Sequence, residues 1–253
     1  MMIGNIGCGK SLIARKFAIN GYTVVNMDSI TKMVAGGEYG NYDPGKKEIY
    51  HAAETAIISA SLEAGISVVV DRTNISPERR KPYIDLAQQF DTYTIAYDWG
   101  PGTIHELKRR FNSPAGIPQK QWTDVHENFI AFYQEPSPDE GFEKIINMAE
   151  TRFTFHAFDF DGIIAEKAKY PAIGNLNSKC VNLIRKLWMD LTNIIIIWTC
   201  RSGDGQNCAR SFLLKNKIPF DFINENPLFD SGSRKIFAHH YYDDRNAEII
   251  GML

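Results

Sequence analysis

The chain has 253 residues, of which 44% are hydrophobic and 23% charged, and its formal charge is 28 − 30 = −2. This length allows one large domain or two modest ones, and the near-neutral charge excludes binding of nucleic acid through an overall basic field. No apolar run is long enough to cross a membrane, and no signal-peptide pattern opens the chain. We therefore expect a cytoplasmic protein without a zinc site, whose thiols stay reduced because no C-x-x-C pair occurs among Cys8, Cys180, Cys200 and Cys208.

The first element in chain order is a glycine-rich loop. Residues 4–11, GNIGCGKS, match the P-loop pattern G-x-x-x-x-G-K-[ST] in full, and only Met1–Ile3 precede them as a candidate strand. Such a loop points backbone amides at phosphate oxygens, and the helix that follows adds its positive N-terminal end. Lys10 is expected to reach the β- and γ-phosphates and the Ser11 hydroxyl to bind Mg²⁺. The loop thus predicts a site for ATP or another nucleoside triphosphate, with contacts from Gly4, Gly7, Gly9, Lys10 and Ser11.

Short apolar segments that each end in aspartate come next, at residues 22–28, 65–71 and 92–98, with helical patterns between them. This alternation predicts a parallel α/β sheet. Parallel sheets bring reactive groups together at the carboxyl ends of their strands. Asp28 suits a general base for an attacking hydroxyl, and Asp71 suits the positioning of an acceptor or a metal. Either aspartate could instead cap the helix that follows it.

Arginines follow the later strands, in the segments DRTNISPERRKPYIDLA and ELKRRFNS. In phosphoryl transfer a lid arginine commonly screens the charge of the moving phosphoryl group. Arg109 and Arg110 are the candidates for this role. The alternative is that both lie on a solvated helix face.

A turn-rich stretch at 134–141 separates two series of elements, and FEKIINM after it could form one more strand of the first series. The second series begins near Thr151. Its predicted strands and helices are FTFHAFDFD, SKCVNLIRKLWMDL, NIIIIWTC, GQNCARSFLLKN, FDFINEN and HHYYDD. The simplest interpretation is two α/β domains, residues 1–150 and 151–253.

Acidic side chains mark a second reaction centre, at the end of the strand FTFHAFDFD. Asp159 and Asp161 lie two residues apart there. One can attack phosphorus and form an aspartyl-phosphate, while the other acts as general acid and base. A carboxylate needs a cation before it approaches an anionic phosphate, and Asp243 and Asp244 offer oxygen ligands for Mg²⁺. Expected donors to the transferred oxyanion are Thr199, Arg201 and Lys235.

The ordered series D-x-D-G, apolar strand plus Thr, Lys and D-D resembles the haloacid-dehalogenase superfamily of phosphohydrolases. The resemblance implies a small Rossmannoid domain with Asp159 as nucleophile and Asp161 as acid/base. It also implies that Thr199 and Lys235 hold the phosphate, whereas Ile163 stands where the family usually has Thr or Ser. The implied metal ligands are Asp159, Asp161, Asp243 and Asp244.

Over nearly its whole length the chain resembles the bacteriophage polynucleotide 5′-kinase/3′-phosphatase family. GNIGCGKS, VVNMDS and VVDRTNISPERR are similar to its P-loop, general-base strand and acceptor segment, and FDFDG, WTCRSG and YYDDRN follow in the family's order. The resemblance implies Asp28 as general base and acceptor contacts from Asp71, Arg72 and Asn74. Thr31 stands where the family has an arginine that contacts the acceptor phosphate.

The function implied by this resemblance is ATP-dependent phosphorylation of 5′-hydroxyl ends and Mg²⁺-dependent removal of 3′-phosphates, on RNA or DNA. The short interval between Asp161 and Thr199 leaves room only for a minimal cap, which admits a polymer end. Two alternatives stay open: a nucleoside or other small-molecule kinase fused to a nucleotidase, and a nucleotide-binding module whose kinase half is degenerate. Self-association into a homo-oligomer also stays open.

Overall fold

The computed structural model describes residues 1–37, 42–111, 117–229 and 236–245. Internal contacts divide the chain into a first unit, Met1–Thr151, and a second unit, Arg152–Leu253. Across the described ranges, no helix has both the length and the apolar character needed to span a bilayer. Lys235, a predicted phosphate ligand, falls outside the described residues.

Parallel strands form the centre of the first unit, as the strand–helix alternation predicts. They are β1 (Met2–Ile3), β2 (Thr23–Asn26), β3 (Val68–Asp71), β4 (Ile95–Asp98) and β5 (Lys144–Asn147). β4 pairs with both β1 and β5, β2 pairs with β3, and all of these pairings are parallel. The Gly4 amide after β1 donates to the Thr73 carbonyl after β3 at 2.8 Å, so the two sets of strands adjoin.

The shortness of β1 does not prevent it from joining the sheet. Met2 and Ile3 are fully buried. The amides of Tyr97 and Trp99 donate to the carbonyls of Met1 and Ile3, both at 2.9 Å. Strand pairing therefore already includes Met1, and the P-loop leaves the sheet directly at the carboxyl edge of β1.

Helices connect the strands of the first unit: α1 (Lys10–Ile19), α2 (Met27–Val34), α3 (Lys47–Glu63), α4 (Pro77–Gln89), α5 (Ile104–Phe111) and α6 (Gln119–Phe132). Their apolar side chains pack against the strands, as Ile30 and Tyr50 do in a buried cluster with Val25 and Val70. α4 begins with Pro77, whose fixed φ and missing N–H suit a first helical position.

The segment 22–28 is a shorter strand than its sequence predicts. β2 ends at Asn26, and Asp28 lies exposed in the first turn of α2. The cause is local, since the Asn26 side chain accepts a hydrogen bond from the Ser29 amide at 3.1 Å and so caps the helix. The segment 92–98 is likewise a strand only from Ile95 onward.

The second unit contains its own parallel sheet. Its strands are β6 (Thr154–Asp159), β7 (Asn193–Trp198), β8 (Phe222–Ile223) and β9 (His240–Tyr242), which lie in the order β8–β7–β6–β9. α7 (Ser178–Trp188) joins β6 to β7, and α8 (Asp204–Lys215) joins β7 to β8. Residues 194–197 are fully buried isoleucines, the continuous apolar run typical of a strand covered on both faces.

Candidate phosphate and metal sites

The P-loop has backbone geometry that requires glycine. Gly4, Gly7 and Gly9 have φ values of +142°, +78° and +100°. Gly7 also lies directly against α5, since a Cβ at this position would be 2.3 Å from the Glu106 carbonyl oxygen. The loop can therefore curl against the start of α5 only because Gly7 has no side chain.

Asn5 holds the loop from inside, a role that no sequence signal indicates. Its buried side-chain amide donates to the carbonyls of Pro101 at 2.7 Å and His126 at 3.0 Å, and its Oδ1 accepts from the Ile6 amide at 2.7 Å. Position 5 is a free position of the P-loop pattern, and its partners lie about a hundred residues away. The sequence therefore could not identify Asn5.

Lys10 lies inside the loop that its sequence position predicts. The side chain is 8% exposed, and Nζ donates to the carbonyls of Gly4 at 2.9 Å and Asn5 at 2.5 Å. Among the described residues, no backbone carbonyl accepts from the amides of Gly7, Cys8 or Gly9. A buried ammonium beside unpaired amides is suited to bind phosphate oxygens. Ser11 is exposed in the first turn of α1, where its hydroxyl is accessible to Mg²⁺.

The acceptor-side residues divide into two groups. Asp71, buried at the carboxyl end of β3, accepts from Asn26 Nδ2 at 3.0 Å, and the two residues are register partners. Asp28 follows two residues after Asn26 and is exposed. The carboxyl ends of β2 and β3 thus present both predicted aspartates at the same edge of the sheet.

Arg72 and Asn74, for which the resemblance implies acceptor contacts, each make hydrogen bonds within the first unit. Arg72 donates to Glu54 at 2.8 Å and to the Tyr83 hydroxyl at 2.7 Å, and its side chain is 28% exposed. Asn74 is 2% exposed and donates to the Met2 carbonyl at 2.8 Å. The Asn74 amide thus fastens β1, and substrate binding by Asn74 stays a prediction.

Arg110 lies beside the P-loop and not on a solvated helix face. A Cβ at Gly7 would be 3.5 Å from Arg110 Cγ, and the guanidinium lies 5.3 Å from the centre of the Trp122 ring. Its Nε is buried without a hydrogen-bond partner among the described residues. An unpaired cationic donor next to the loop is available for an anion. Arg109, also on α5, is only partly buried.

Three carboxylates meet in the second unit. Each of Asp159, Asp243 and Asp244 places an oxygen within 4.8 Å of those of the other two. The pairing of β6 with β9 explains this, because both strands end at the same edge. Burial and the neighbouring negative charges raise the pKa of Asp159 from 3.8 to about 6. Three carboxylates this close together repel one another, and their oxygens are the ligands that Mg²⁺ prefers. The group is therefore suited to bind a divalent cation such as Mg²⁺.

Gly162 and Lys167 complete the surroundings of Asp244. Gly162, at φ +95°, comes so close that a Cβ would lie 2.8 Å from Asp244 Oδ2. Lys167 Nζ lies 2.5 Å from the same oxygen and holds the pKa of Asp244 below its usual value through this hydrogen bond. Ile163, next to Gly162, is buried in the core and offers no donor.

Asp161 and Arg201 form an ion pair with each other, a contact that the sequence does not predict. Arg201 Nε and a terminal nitrogen donate to the two Asp161 oxygens at 2.8 and 2.7 Å. Arg201 is 4% exposed and also donates to the carbonyls of Pro171 and Ala172. Among the described residues, the three-carboxylate group does not include Asp161. The catalytic and metal-binding roles predicted for Asp161 and Arg201 stay predictions.

Thr199 is held where β7 ends. Its amide donates to Asn224 Oδ1 at 2.8 Å, and its hydroxyl accepts from the Arg201 amide at 3.2 Å. The Asn224 side chain returns a bond to the Thr199 carbonyl at 2.9 Å. Asn224 was missed by sequence reasoning, because its partner lies on another strand.

The geometry of the first unit defines an α/β nucleotide-binding domain of the P-loop class. The AAA domain family model matches residues 1–131, which is 131 of 253 residues, and the chain belongs to this family. Membership implies that the P-loop binds a nucleotide such as ATP.

The similarities to solved structures are weak in both sequence identity and TM-score. A chain of the Pnkp1/Rnl/Hen1 RNA repair complex aligns at 18% identity and a TM-score of 0.43, covering 97% of this chain and 88% of that one. A second structure of the Pnkp1/Rnl/Hen1 complex aligns at 17% identity and a TM-score of 0.39, covering 99% and 90%. A conserved protein from Bacteroides thetaiotaomicron aligns at 29% identity and a TM-score of 0.34, covering 38% and 80%. None of the curated proteins gives a significant match.

Proposed function

We propose that the chain heals polynucleotide ends. Its first unit phosphorylates 5′-hydroxyl ends with ATP, and its second unit removes 3′-phosphates with Mg²⁺. The observation that supports the kinase most strongly is the P-loop, with Lys10 buried inside it and Arg110 against it. For the phosphatase it is the group of three carboxylates at the ends of β6 and β9.

In the kinase reaction the acceptor hydroxyl oxygen attacks the γ-phosphorus, the bond to the β-phosphate oxygen breaks, and ADP leaves. Asp28, exposed at the acceptor edge, takes the hydroxyl proton. Lys10 and Arg110 place positive charge beside the transferred group, where it stabilises the charge that spreads over the phosphoryl oxygens. Ser11 would hold Mg²⁺, which offsets the phosphate charge.

In the phosphatase reaction an Asp159 oxygen attacks phosphorus, and the bond to the 3′-oxygen breaks. Asp161 must first exchange part of its ion pair with Arg201 for a proton from solvent. It then gives this proton to the 3′-oxygen and afterwards takes a proton from the water that releases phosphate from Asp159. The ion pair with Arg201 fixes the orientation of Asp161, whose side chain is still 38% exposed. Asp159, Asp243 and Asp244 would hold Mg²⁺, which lets a carboxylate approach the anionic phosphate.

The two activities make chemical sense only on different positions of the substrate. A kinase and a phosphatase acting on one position would together only hydrolyse ATP. At the two ends of a broken strand they prepare a 5′-phosphate and a 3′-hydroxyl. A nucleic-acid end is therefore a better substrate for this pair than one small molecule.

Transfer of label from γ-labelled ATP to a 5′-hydroxyl oligonucleotide tests the kinase. Label on the oligomer is expected for the wild type and for Lys47→Ala, a control at an exposed lysine, and not for Lys10→Ala. Label on free nucleosides alone would favour a small-molecule kinase. No label on either acceptor would contradict kinase activity and favour a nucleotide-binding module.

Release of phosphate from a 3′-phosphorylated oligonucleotide tests the second unit separately. We expect release to need Mg²⁺ and to be lost in Asp159→Asn but kept in the control Asp124→Asn, at an exposed aspartate of α6. Release from nucleoside monophosphates but not from the oligomer would replace the 3′-phosphatase with a nucleotidase.

A further inference from the structure

A small closed loop stands at the rim of the phosphatase site. Residues 166–172, the 166–172 loop, are all exposed and follow Asp161 in the chain. The loop is closed at its base, where the Glu166 amide donates to the Asn175 carbonyl at 2.8 Å. Gly174 packs so tightly there that a Cβ would lie 2.0 Å from the Glu166 carbonyl oxygen. The loop is therefore built into the fold at its base.

Tyr170 lies on this loop and combines exposure with fixed placement. The residue is 65% exposed. The guanidinium of Arg201 lies 5.4 Å from the ring centre, and the same group binds the carbonyls of Pro171 at 3.0 Å and Ala172 at 2.7 Å. A Cβ at Gly205 would lie 3.1 Å from the Tyr170 hydroxyl. The ring is thus supported from behind by a cation and by α8, while much of it faces solvent.

We propose that Tyr170 is a stacking platform for a nucleobase of the strand whose 3′-phosphate enters the site. A single guanidinium, that of Arg201, connects the ring to the Asp161 carboxylate, so the platform lies next to the reacting centre. This inference rests on the proposed 3′-phosphatase function and names the substrate subsite that would distinguish polynucleotides from small phosphate esters.

The chemistry of the loop favours a nucleic acid as the occupant. Base–aromatic stacking tolerates any sequence, because every base has a π-face. A cation behind the ring draws electron density away from the exposed face, which improves stacking with an electron-rich purine. Lys169, exposed next to Tyr170, supplies positive charge for the phosphodiester backbone.

The kinetic test compares two substrates of the same active site. For Tyr170→Ala, the KM of a 3′-phosphorylated oligonucleotide should rise about tenfold relative to the KM of p-nitrophenyl phosphate, given the usual size of base stacking. Tyr170→Phe should keep the wild-type ratio. Tyr170→Leu, which still covers Arg201 but has no π-face, should behave like the alanine variant. A ratio unchanged in all variants, or an equal loss on both substrates, would overturn the stacking role.

A binding test makes this inference independent of turnover. The probe is an oligonucleotide with a blocked 5′ end and 2-aminopurine as the base of its 3′-phosphorylated nucleotide. Stacking should quench its fluorescence on the wild-type protein and on Tyr170→Phe, and not on Tyr170→Leu. Quenching without phosphate release would keep the stacking site and contradict the proposed phosphatase. Equal quenching by Tyr170→Leu would overturn the stacking site, whatever the phosphatase activity.

Discussion

Asp159 shows how its surroundings change the ionisation of a single residue. Its folded-state pKa of about 6 lies above the ordinary 3.8, because burial and nearby carboxylates oppose its ionisation. The raised pKa means that ionisation works against folding as pH rises from about 4 to 6. Asp159→Asn should therefore raise the free energy of unfolding of the metal-free protein at about pH 8. Below about pH 4, where the carboxyl is protonated in the folded chain, little gain is expected.

Chemical denaturation in the presence of a chelator measures this difference at several pH values. Adding Mg²⁺ should stabilise the wild type more than Asp159→Asn, since a ligand that binds only the folded state raises its stability. Equal stability of the two proteins at every pH would contradict the assigned environment of Asp159.

Gly7 offers a second residue-scale prediction. Gly7→Ala combines a left-handed φ, which costs roughly 1–2 kcal/mol for a non-glycine residue, with a contact of 2.3 Å to the Glu106 carbonyl. Overpacking adds roughly 1–3 kcal/mol. Gly21→Ala is the matched control, because Gly21 has φ +90° with nothing within 4 Å of its Cβ position. Urea denaturation should show a larger loss for Gly7→Ala, and equal losses would mean that α5 does not press on the loop.

At this scale the sequence predicts residues whose chemistry is local. The glycines and Lys10 follow from one contiguous pattern, and Asp159 follows from the end of an apolar strand. The contacts of Asn74 and Arg201 were not predicted, because their partners, the Met2 carbonyl and the Asp161 carboxylate, lie far away in the sequence. The spacing of residues in the sequence does not predict which buried carbonyl or carboxylate accepts a hydrogen bond from a distant side chain.

Elements were predicted well in type and less well in extent. The isoleucine run of β7 and the helical pattern of α3 leave little ambiguity. A strand that is buried on both faces is apolar at every position, whereas a helix that is buried on one face is apolar at a helical period. β2 is shorter than predicted because Asn26 ends the strand by capping α2. An N-cap competes with strand extension over the same residues, and a pattern of apolar side chains does not record that competition.

The helix α7 begins with an N-cap whose contribution to stability can be tested. The Asn177 side chain accepts from the amides of Lys179 and Cys180 at 3.2 and 3.3 Å, at the start of α7. Asn177→Ala should lower the free energy of unfolding by about 1 kcal/mol, because these amides lose their partner. Asn207→Ala, in the exposed interior of α8, should leave stability unchanged or slightly raise it. Thermal denaturation of both variants measures the difference. Equal effects would mean that the hydrogen bonds of the Asn177 cap do not stabilise the folded protein.

For the whole molecule, the proposed function requires two sites that act independently. On an oligonucleotide with a 5′-hydroxyl and a 3′-phosphate, Lys10→Ala should block only 5′ phosphorylation and Asp159→Asn only 3′ dephosphorylation. Each substitution removes a group from one pocket and leaves the other pocket's residues unchanged. Mass spectrometry of the oligomer reads both ends at once. Loss of both activities in either single variant would contradict separate sites.

The order of motifs along the chain predicts the organisation at this scale. The P-loop series and the D-x-D-G series each lie within one stretch of the chain, so their order predicts two α/β halves. The proposed base-stacking subsite was not accessible in the same way, because the placement of Tyr170 depends on the contacts of Arg201.

The position of the P-loop directly after β1 has a consequence for observing the protein at work. The root of the P-loop is bonded on both sides, from the Gly4 amide to the Thr73 carbonyl and from the Trp99 amide to the Ile3 carbonyl. A shift of the loop on nucleotide binding should therefore displace the neighbouring strands directly, because no flexible residues lie between the loop and these hydrogen bonds. Deuterium uptake at the Trp99 amide should slow when ATP is added. One backbone position outside the glycine motif would then act as a built-in reporter of occupancy.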